Sequence, residues 1–390
     1  MTSTVFVDQV TPIVASWLND VNAGVYTTLP LKATAGVNTD ITSLSGKAVS
    51  ALALNGANAD ITSLSALASL NGGPLAGFRN RLRNGGMQIF QRGATASDVN
   101  GYFVDGWYTN RTGSVNHMNV LVNNISFGSN KFALRISRTA GDTQTNALNL
   151  YQPIEQTISQ SLAGGNATLS FILGTGANIS ALNGHAVNIY YQTSLTDQGV
   201  GGAWTAIGVQ LFSVTANAIY GARQGYTFAI PVGATQLMVQ VSFAVTGTAG
   251  ADESFYITEI QLEPGSVATA FERRPIGTEL ALCQRYFEKS YNQADAPGNT
   301  SYLTQGGAFL AVDVSNAIGN TQFSVTKRAT PTVTIYDPTT GLSGHARDAT
   351  GGASYPMTVT DISQVNFNRL TGSMTTGHLF SAMWTASAEL

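Results

Sequence analysis

"TQLMVQVSFAV", residues 235–245, puts Leu237, Val239, Val241, Phe243 and Val245 at every second position. An extended strand turns alternate side chains to opposite faces, so this spacing gives a strand with one face on a core. "KFALRISR" (131–138) repeats the rule, with Phe132, Leu134 and Ile136 inward and Arg135 and Ser137 outward. "NATLSFIL" (166–173), "HAVNIYYQTS" (185–194), "GYTFAIPV" (225–232) and "SFYITEIQLE" (254–263) continue it, separated by stretches that include turn residues. About eight to ten strands over roughly 180 residues fit one antiparallel sandwich of the jelly-roll kind. Further β-like runs, "GAFLAVDV" (307–314), "TQFSV" (321–325), "PTVTIYD" (331–337) and "PMTVTDI" (356–362), form a second, smaller β domain.

The composition fits this reading. The chain has 390 residues, 43% hydrophobic and only 11% charged, with 41 glycines, as in all-β folds rich in turns. A net charge of -3 provides no attraction for nucleic acid or an anionic membrane surface. One cysteine excludes an internal disulfide framework. The first residues, "MTSTVFVDQVTPIV", lack a basic region followed by an apolar run, so they do not form a secretory signal. No run approaches the roughly 18 apolar residues of a membrane span, so no membrane insertion is expected. The chain is expected to fold in a reducing cytosol.

Upstream of the strands the pattern changes. In "TPIVASWLNDVNAGVY" (11–26), Thr11 suits an N-cap and Pro12 the first helical position, and Gly24 ends the element. Ile13, Trp17 and Val21 share a face, with Val14 and Leu18 beside it. A helix this short is marginal alone and needs a partner for that face. "DITSLS" then occurs at residues 40–45 and again at 60–65. Ile61, Leu64, Leu67 and Leu70 recur every third residue, and Ile41 and Leu44 match the first two in the earlier copy. Two short units with one apolar line each bury no core within one chain. Self-association does, by bringing the lines together on an axis with Asp, Thr and Ser facing water.

"LEPGSVATAFERRPIGTELALCQRYFEKSY" (262–291) gathers eight charged residues and the lone Cys283. Thr278 is placed to cap a short helix whose face carries Leu280, Cys283 and Phe287. Without a nearby histidine to activate it, Cys283 reads as a small core residue. The charges read as pairs at a joint, and so does the arginine run in "FRNRLRNGGMQIFQR" (78–92). The four histidines lack metal-ligand spacing, and no nucleophile elbow, phosphate loop or calcium loop is present. The reading is therefore non-enzymatic, with no cofactor and no metal.

"NGGMQIFQRGATAS", "GYFVDGWY", "LNLYQPIEQ", "ATLSFIL" and the 262–291 segment together resemble the carbohydrate-binding-module-like domain of bacteriophage tail fibre proteins, over about half of the chain. Where that family often has Asp-Arg-Trp, this chain has Asp105, Gly106 and Trp107. "ASWLNDVNAGVY" resembles the virion-attachment start of fibres from short-tailed phages, and "NADITSL" is similar to fibre shaft segments. The resemblance implies a homotrimer with two further copies of itself, held on the virion by phage tail or neck proteins. Residues 1–30 would then attach through Ile13, Trp17, Leu18, Asn19, Asp20 and Val21, and residues 31–83 would form a trimeric stalk on Ile41, Leu44, Ile61, Leu64 and Leu67. Residues 84–272 would be the sandwich, 273–291 a helical joint and 292–390 a β tip. The implied ligand is host surface polysaccharide. By composition, Trp107, Tyr108, Tyr190, Tyr191, Trp204 and Tyr220 are the aromatic side chains to stack on sugar faces. A purely structural fibre or adaptor and a polysaccharide-degrading tailspike are the alternatives.

Overall fold

The computed structural model describes residues 78–390, apart from 94, 98–99, 112–116, 128–129, 219–221, 248–252 and 301–305. The expected attachment helix, the stalk positions from Ile41 to Leu67 and Tyr220 lie outside the described residues. The chain divides into two units, Met1–Ser65 and Ala66–Leu390, and the fold described is that of the second.

Twelve described strands build a β-sandwich. They are β1 (Thr95–Ser97), β2 (Gly101–Tyr102), β3 (Tyr108–Asn110), β4 (His117–Phe127), β5 (Asn130–Arg138) and β6 (Leu148–Ile154). β7 (Asn166–Thr175), β8 (His185–Gln192), β9 (Thr205–Phe212), β10 (Gln224–Ala229), β11 (Gln236–Phe243) and β12 (Ser254–Pro264) follow. One antiparallel sheet runs β1-β4-β5-β12-β7-β10 and the other β2-β3-β6-β11-β8-β9. The alternation of the sequence is the reason they pack. Leu134, Ile136, Leu169, Phe171 and Ile257 from the first sheet meet Leu150, Val187, Ile189, Leu237, Val239 and Val241 from the second in one core. Burying such side chains contributes about 1.5–3 kcal/mol each. The expected strands at 131–138, 166–173, 185–194, 225–232, 235–245 and 254–263 are all observed.

Three expectations are corrected at the edges of the sandwich. Residues 78–83, assigned to the stalk, belong with the sandwich: the Arg81 amide donates to the Leu262 carbonyl at 2.8 Å, and Leu82 is in the core. The helix of the joint spans Ile276–Gln284 and starts at Pro275 with no side-chain cap, so Thr278 does not cap it. Phe287 lies not on the helix but in the strand β13 (Phe287–Lys289). Cys283 is buried as expected.

The C-terminal domain adds β14 (Gly307–Ala311), β15 (Asn316–Gln322), β16 (Thr332–Tyr336), β17 (His345–Asp348), β18 (Ser354–Ile362), β19 (Asn366–Gly372) and β20 (Leu379–Ser387). β20 pairs with both β14 and β17, so the path β14-β15-β19-β18-β17 returns to β20 and closes a small barrel. Phe309, Phe367, Phe380 and Trp384 fill it. The charged stretches form the seam between this domain and the sandwich. Glu389 pairs with Arg83 at 3.3 Å and Arg92 at 2.9 Å, and Arg285 with Glu155 at 2.9 Å; Lys327 and Glu288 pair within the C-terminal domain itself. Gly106 has φ +82, and a Cβ there would meet the Arg83 side chain at 2.7 Å. Glycine at this position therefore leaves room for the seam arginine. Among the described residues no helix is long and apolar enough to cross a membrane.

Candidate functional site

The site lies on the outer face of the sheet β2-β3-β6-β11-β8-β9. In β6, Leu148 and Leu150 point into the core, so Asn149 and Tyr151 between them point outward. The same logic turns Met238, Gln240 and Ser242 of β11, and Asn188 and Tyr190 of β8, to the outside. Register then aligns these outward residues. Tyr102 lies opposite Tyr108, Tyr108 opposite Tyr151, Tyr151 opposite Gln240, and Gln240 opposite Asn188. The result is one row across five strands, about 19 Å long at the usual strand spacing. Asn110 and Asn149 stand beside it on one flank, and Met238 and Tyr190 on the other.

Gln240 is the centre of this face. Its Nε2 donates to Asn149 Oδ1 at 2.9 Å and to the Tyr151 hydroxyl at 2.8 Å. Its Oε1 accepts from Asn188 Nδ2 at 2.6 Å and from the Tyr190 hydroxyl at 2.8 Å. The rings of Tyr102 and Tyr108 meet edge to face at 5.2 Å. Burial, and next the neighbouring Tyr190, push the Tyr151 phenol up to about 12, against the Gln240 hydrogen bond. Burial also raises Tyr190. These phenols are thus uncharged at neutral pH. The tyrosines remain partly exposed, and Val209 (58% exposed) and Leu211 (69%) carry an apolar surface onto the edge strand β9. Fixed amides and hydroxyls between aromatic rings can hydrogen-bond hydroxyls and cover CH faces of a polyhydroxylated ligand.

The aromatic residues proposed from composition are thus separated. Tyr108 and Tyr190 stand on the platform. Tyr191 faces the opposite side and packs against the core. Trp204 donates its indole N–H to the Gly199 carbonyl at 2.9 Å, within its own loop. Trp107 is 0% exposed and donates to the Asn84 carbonyl at 3.1 Å, so it has no free face for a sugar and is a core residue. Tyr102, Tyr151, Asn149, Asn188 and Gln240 were missed. Their signal was present as the positions alternating with the core residues, but a list of aromatics does not use it.

Among the described residues, other features do not form a comparable site. A cavity of about 350 Å³ at the seam is lined by Phe78, Leu82, Ile154, Ile158 and Leu282. Its carboxylate, Glu155, is already held by Arg285 and Tyr286. Among the described residues no group of three or more His, Cys, Asp and Glu is placed to hold a metal ion.

No protein-family model matches the sequence, and no curated protein matches it. Solved structures do share similarity with part of the chain. The enzymatically active domain of tailspike protein 4 from bacteriophage CBA120 is 14% identical with a TM-score of 0.33, over 48% of this chain and 22% of that one. This chain therefore spans about a fifth of that tailspike chain. TmCBM61, solved with β-1,4-galactotriose, is 12% identical with a TM-score of 0.28, over 48% of this chain and 99% of its own. The C-terminal family 22 carbohydrate-binding module of Clostridium thermocellum Xyn10B is 11% identical with a TM-score of 0.29, over 47% of this chain and all of its own. What those proteins bind or cleave is a property of theirs.

Proposed function

We propose that this chain is a bacteriophage tail fibre protein whose sandwich holds host surface polysaccharide without cleaving it. The observation that carries the binding role is the Gln240-centred row of tyrosines and amides on the outer face of one sheet. Its side chains are held in place by one another, which lowers the ordering cost of binding. The fibre assignment rests on the sequence resemblance, and the homotrimer on the duplicated "DITSLS" units. In this reading residues 1–30 hold the protein on a phage tail or neck, and the β domains face the host.

The test uses the full chain and intact bacteria of the phage's host range. Tyr151→Ala combined with Tyr190→Ala is expected to lower cell retention at least about tenfold, a loss near 1.4 kcal/mol, with thermal unfolding unchanged within a few degrees. Unaltered retention by a folded double variant refutes the platform. Release of soluble oligosaccharide by the unmodified chain refutes the non-catalytic reading.

A further inference from the structure

The chemistry of the platform limits the kind of glycan it accepts. The six strands of this sheet contain no Asp, Glu, Lys or Arg. Their one histidine, His185, is buried, with its Nδ1 accepting from the Ala244 amide. The facing sheet is different, with Lys131, Arg135 and Arg138 in β5 and Glu259 and Glu263 in β12. At the Gln240 centre a sugar carboxylate, phosphate or sulfate would lose water and meet no cation of these strands; the Arg92 guanidinium, 5.6 Å from the Tyr102 ring at the far end of the row, is already paired with Glu389.

The hydrogen-bond directions reinforce this. Asn149 Nδ2 donates to the Ala147 carbonyl at 3.3 Å, which turns Asn149 Oδ1 toward Gln240. Gln240 must then offer Nε2 to Asn149 and Tyr151, and Oε1 to Asn188 and Tyr190. A carboxamide has two donors and two lone pairs, so Gln240 is saturated. Its neighbours inherit fixed polarities. Tyr190 has donated its proton and keeps only lone pairs. Asn188 has turned Nδ2 inward, and its Oδ1 is buried with no hydrogen-bond partner; the residue is 6% exposed. Tyr151 accepts from Gln240 and retains its proton to donate. The face thus presents the Tyr190 lone pairs and the Tyr151 proton, with the unpaired Asn188 Oδ1 buried beside them, and a buried acceptor left unpaired is costly. A hydroxyl can donate to Asn188 and also accept from Tyr151. An acidic group in its ionised form can only accept, and repels Asn188 Oδ1 and Tyr190.

On the platform reading above, we infer that the ligand is an uncharged, hydroxyl-rich glycan, one of whose hydroxyls donates to Asn188 Oδ1. Acidic polysaccharides are rejected by the same geometry. The probes are matched pairs: polygalacturonate and hyaluronate, each beside its carboxyl-reduced neutral form, on an array with other neutral and acidic glycans. The full chain is expected to bind neutral probes at least about tenfold more tightly than acidic ones. Binding should change less than about twofold between roughly 0.05 and 0.5 M salt, since no charge pair is screened. Asn188→Ala and Tyr151→Phe, each checked for native unfolding temperature, should weaken it about tenfold or more. If acidic probes bind more tightly and Asn188→Ala abolishes that binding, the face holds glycans but the inference of neutrality fails. If binding survives both variants, or no probe is retained, the platform reading fails with it.

Discussion

At Trp107 one indole sits on the boundary between two roles, and burial decides it. The ring is fully enclosed and its N–H is paired with Asn84. Trp107→Ala should therefore cost about 3–5 kcal/mol in stability, the range for truncating a buried aromatic. Denaturant unfolding measures it, and a variant of unchanged stability contradicts the assignment. Cys283 is settled in the same way. Burial pushes its thiol well above the ordinary value; the carboxylates of Asp105 and Glu279 add to this, and Arg83 opposes it. The thiolate is the reactive form. At about pH 8, where a free thiol is partly ionised, iodoacetamide should leave the folded chain unmodified and label it after denaturation. Mass spectrometry reads the difference, and complete labelling of the native protein overturns it.

At the level of elements, two aspartates fasten the turns of the C-terminal barrel. Asp337, after β16, accepts from the amides of Thr339 at 2.7 Å and Thr340 at 3.0 Å. Asp348, ending β17, accepts from Thr350 at 2.9 Å and Gly351 at 2.7 Å, and its other oxygen faces His378 Nδ1 at 2.7 Å. Burial alone would raise both carboxyls. The hydrogen bonds outweigh it and hold both below 3.8, the ordinary aspartate value. An acid that is stronger in the folded state binds fewer protons there than in the unfolded chain. Its contribution is present above pH 3.8 and is lost as pH falls through the depressed folded value. The barrel is therefore expected to lose stability below about pH 4, and Asp348→Asn should flatten that slope. Unfolding temperature against pH checks it, and an unchanged slope in the variant contradicts it.

For the whole molecule, the seam and the proposed self-association each carry a prediction. Glu389 is the shared partner of Arg83 and Arg92, and Arg83 is itself 6% exposed. Removing one partner of a buried pair leaves an uncompensated charge and costs about 3–5 kcal/mol. Glu389→Ala should lower the unfolding temperature by loosening the sandwich from the barrel. A calorimetric trace identical to that of the unmodified chain contradicts this. The proposed trimer rests on the spaced Ile and Leu residues of the duplicated units. Threefold parallel packing would bring each of them beside its own copies, and buried apolar area at about 25 cal/mol per Å² would then accumulate along the shaft. Light scattering on the full chain should return three times the 40.9 kDa protomer mass. A monomer or dimer at micromolar concentration refutes the trimer.

The sequence by itself determined what depends on near neighbours. Alternation at 235–245 or 131–138 places a strand because burying one face of it requires apolar residues at every second position. The same local logic put Cys283 in the core and the arginines of 78–92 at a joint. Strands β17, β19 and β20 left a weaker imprint, because small and polar residues such as Ala346, Ser381, Ala382 and Ala386 occupy positions where larger apolar groups would have marked a face. The platform was legible only in half. Tyr151 and Gln240 could be read as outward-facing residues of their strands, yet 89 positions separate them. Only the pairing of β6, β11 and β8 makes them neighbours of Asn188. That pairing order is a property of the folded sheet, since register is set by contacts between residues far apart in the chain. The tertiary structure alone therefore decided that Trp107 is enclosed and that Gln240 holds a row of tyrosines and amides outward.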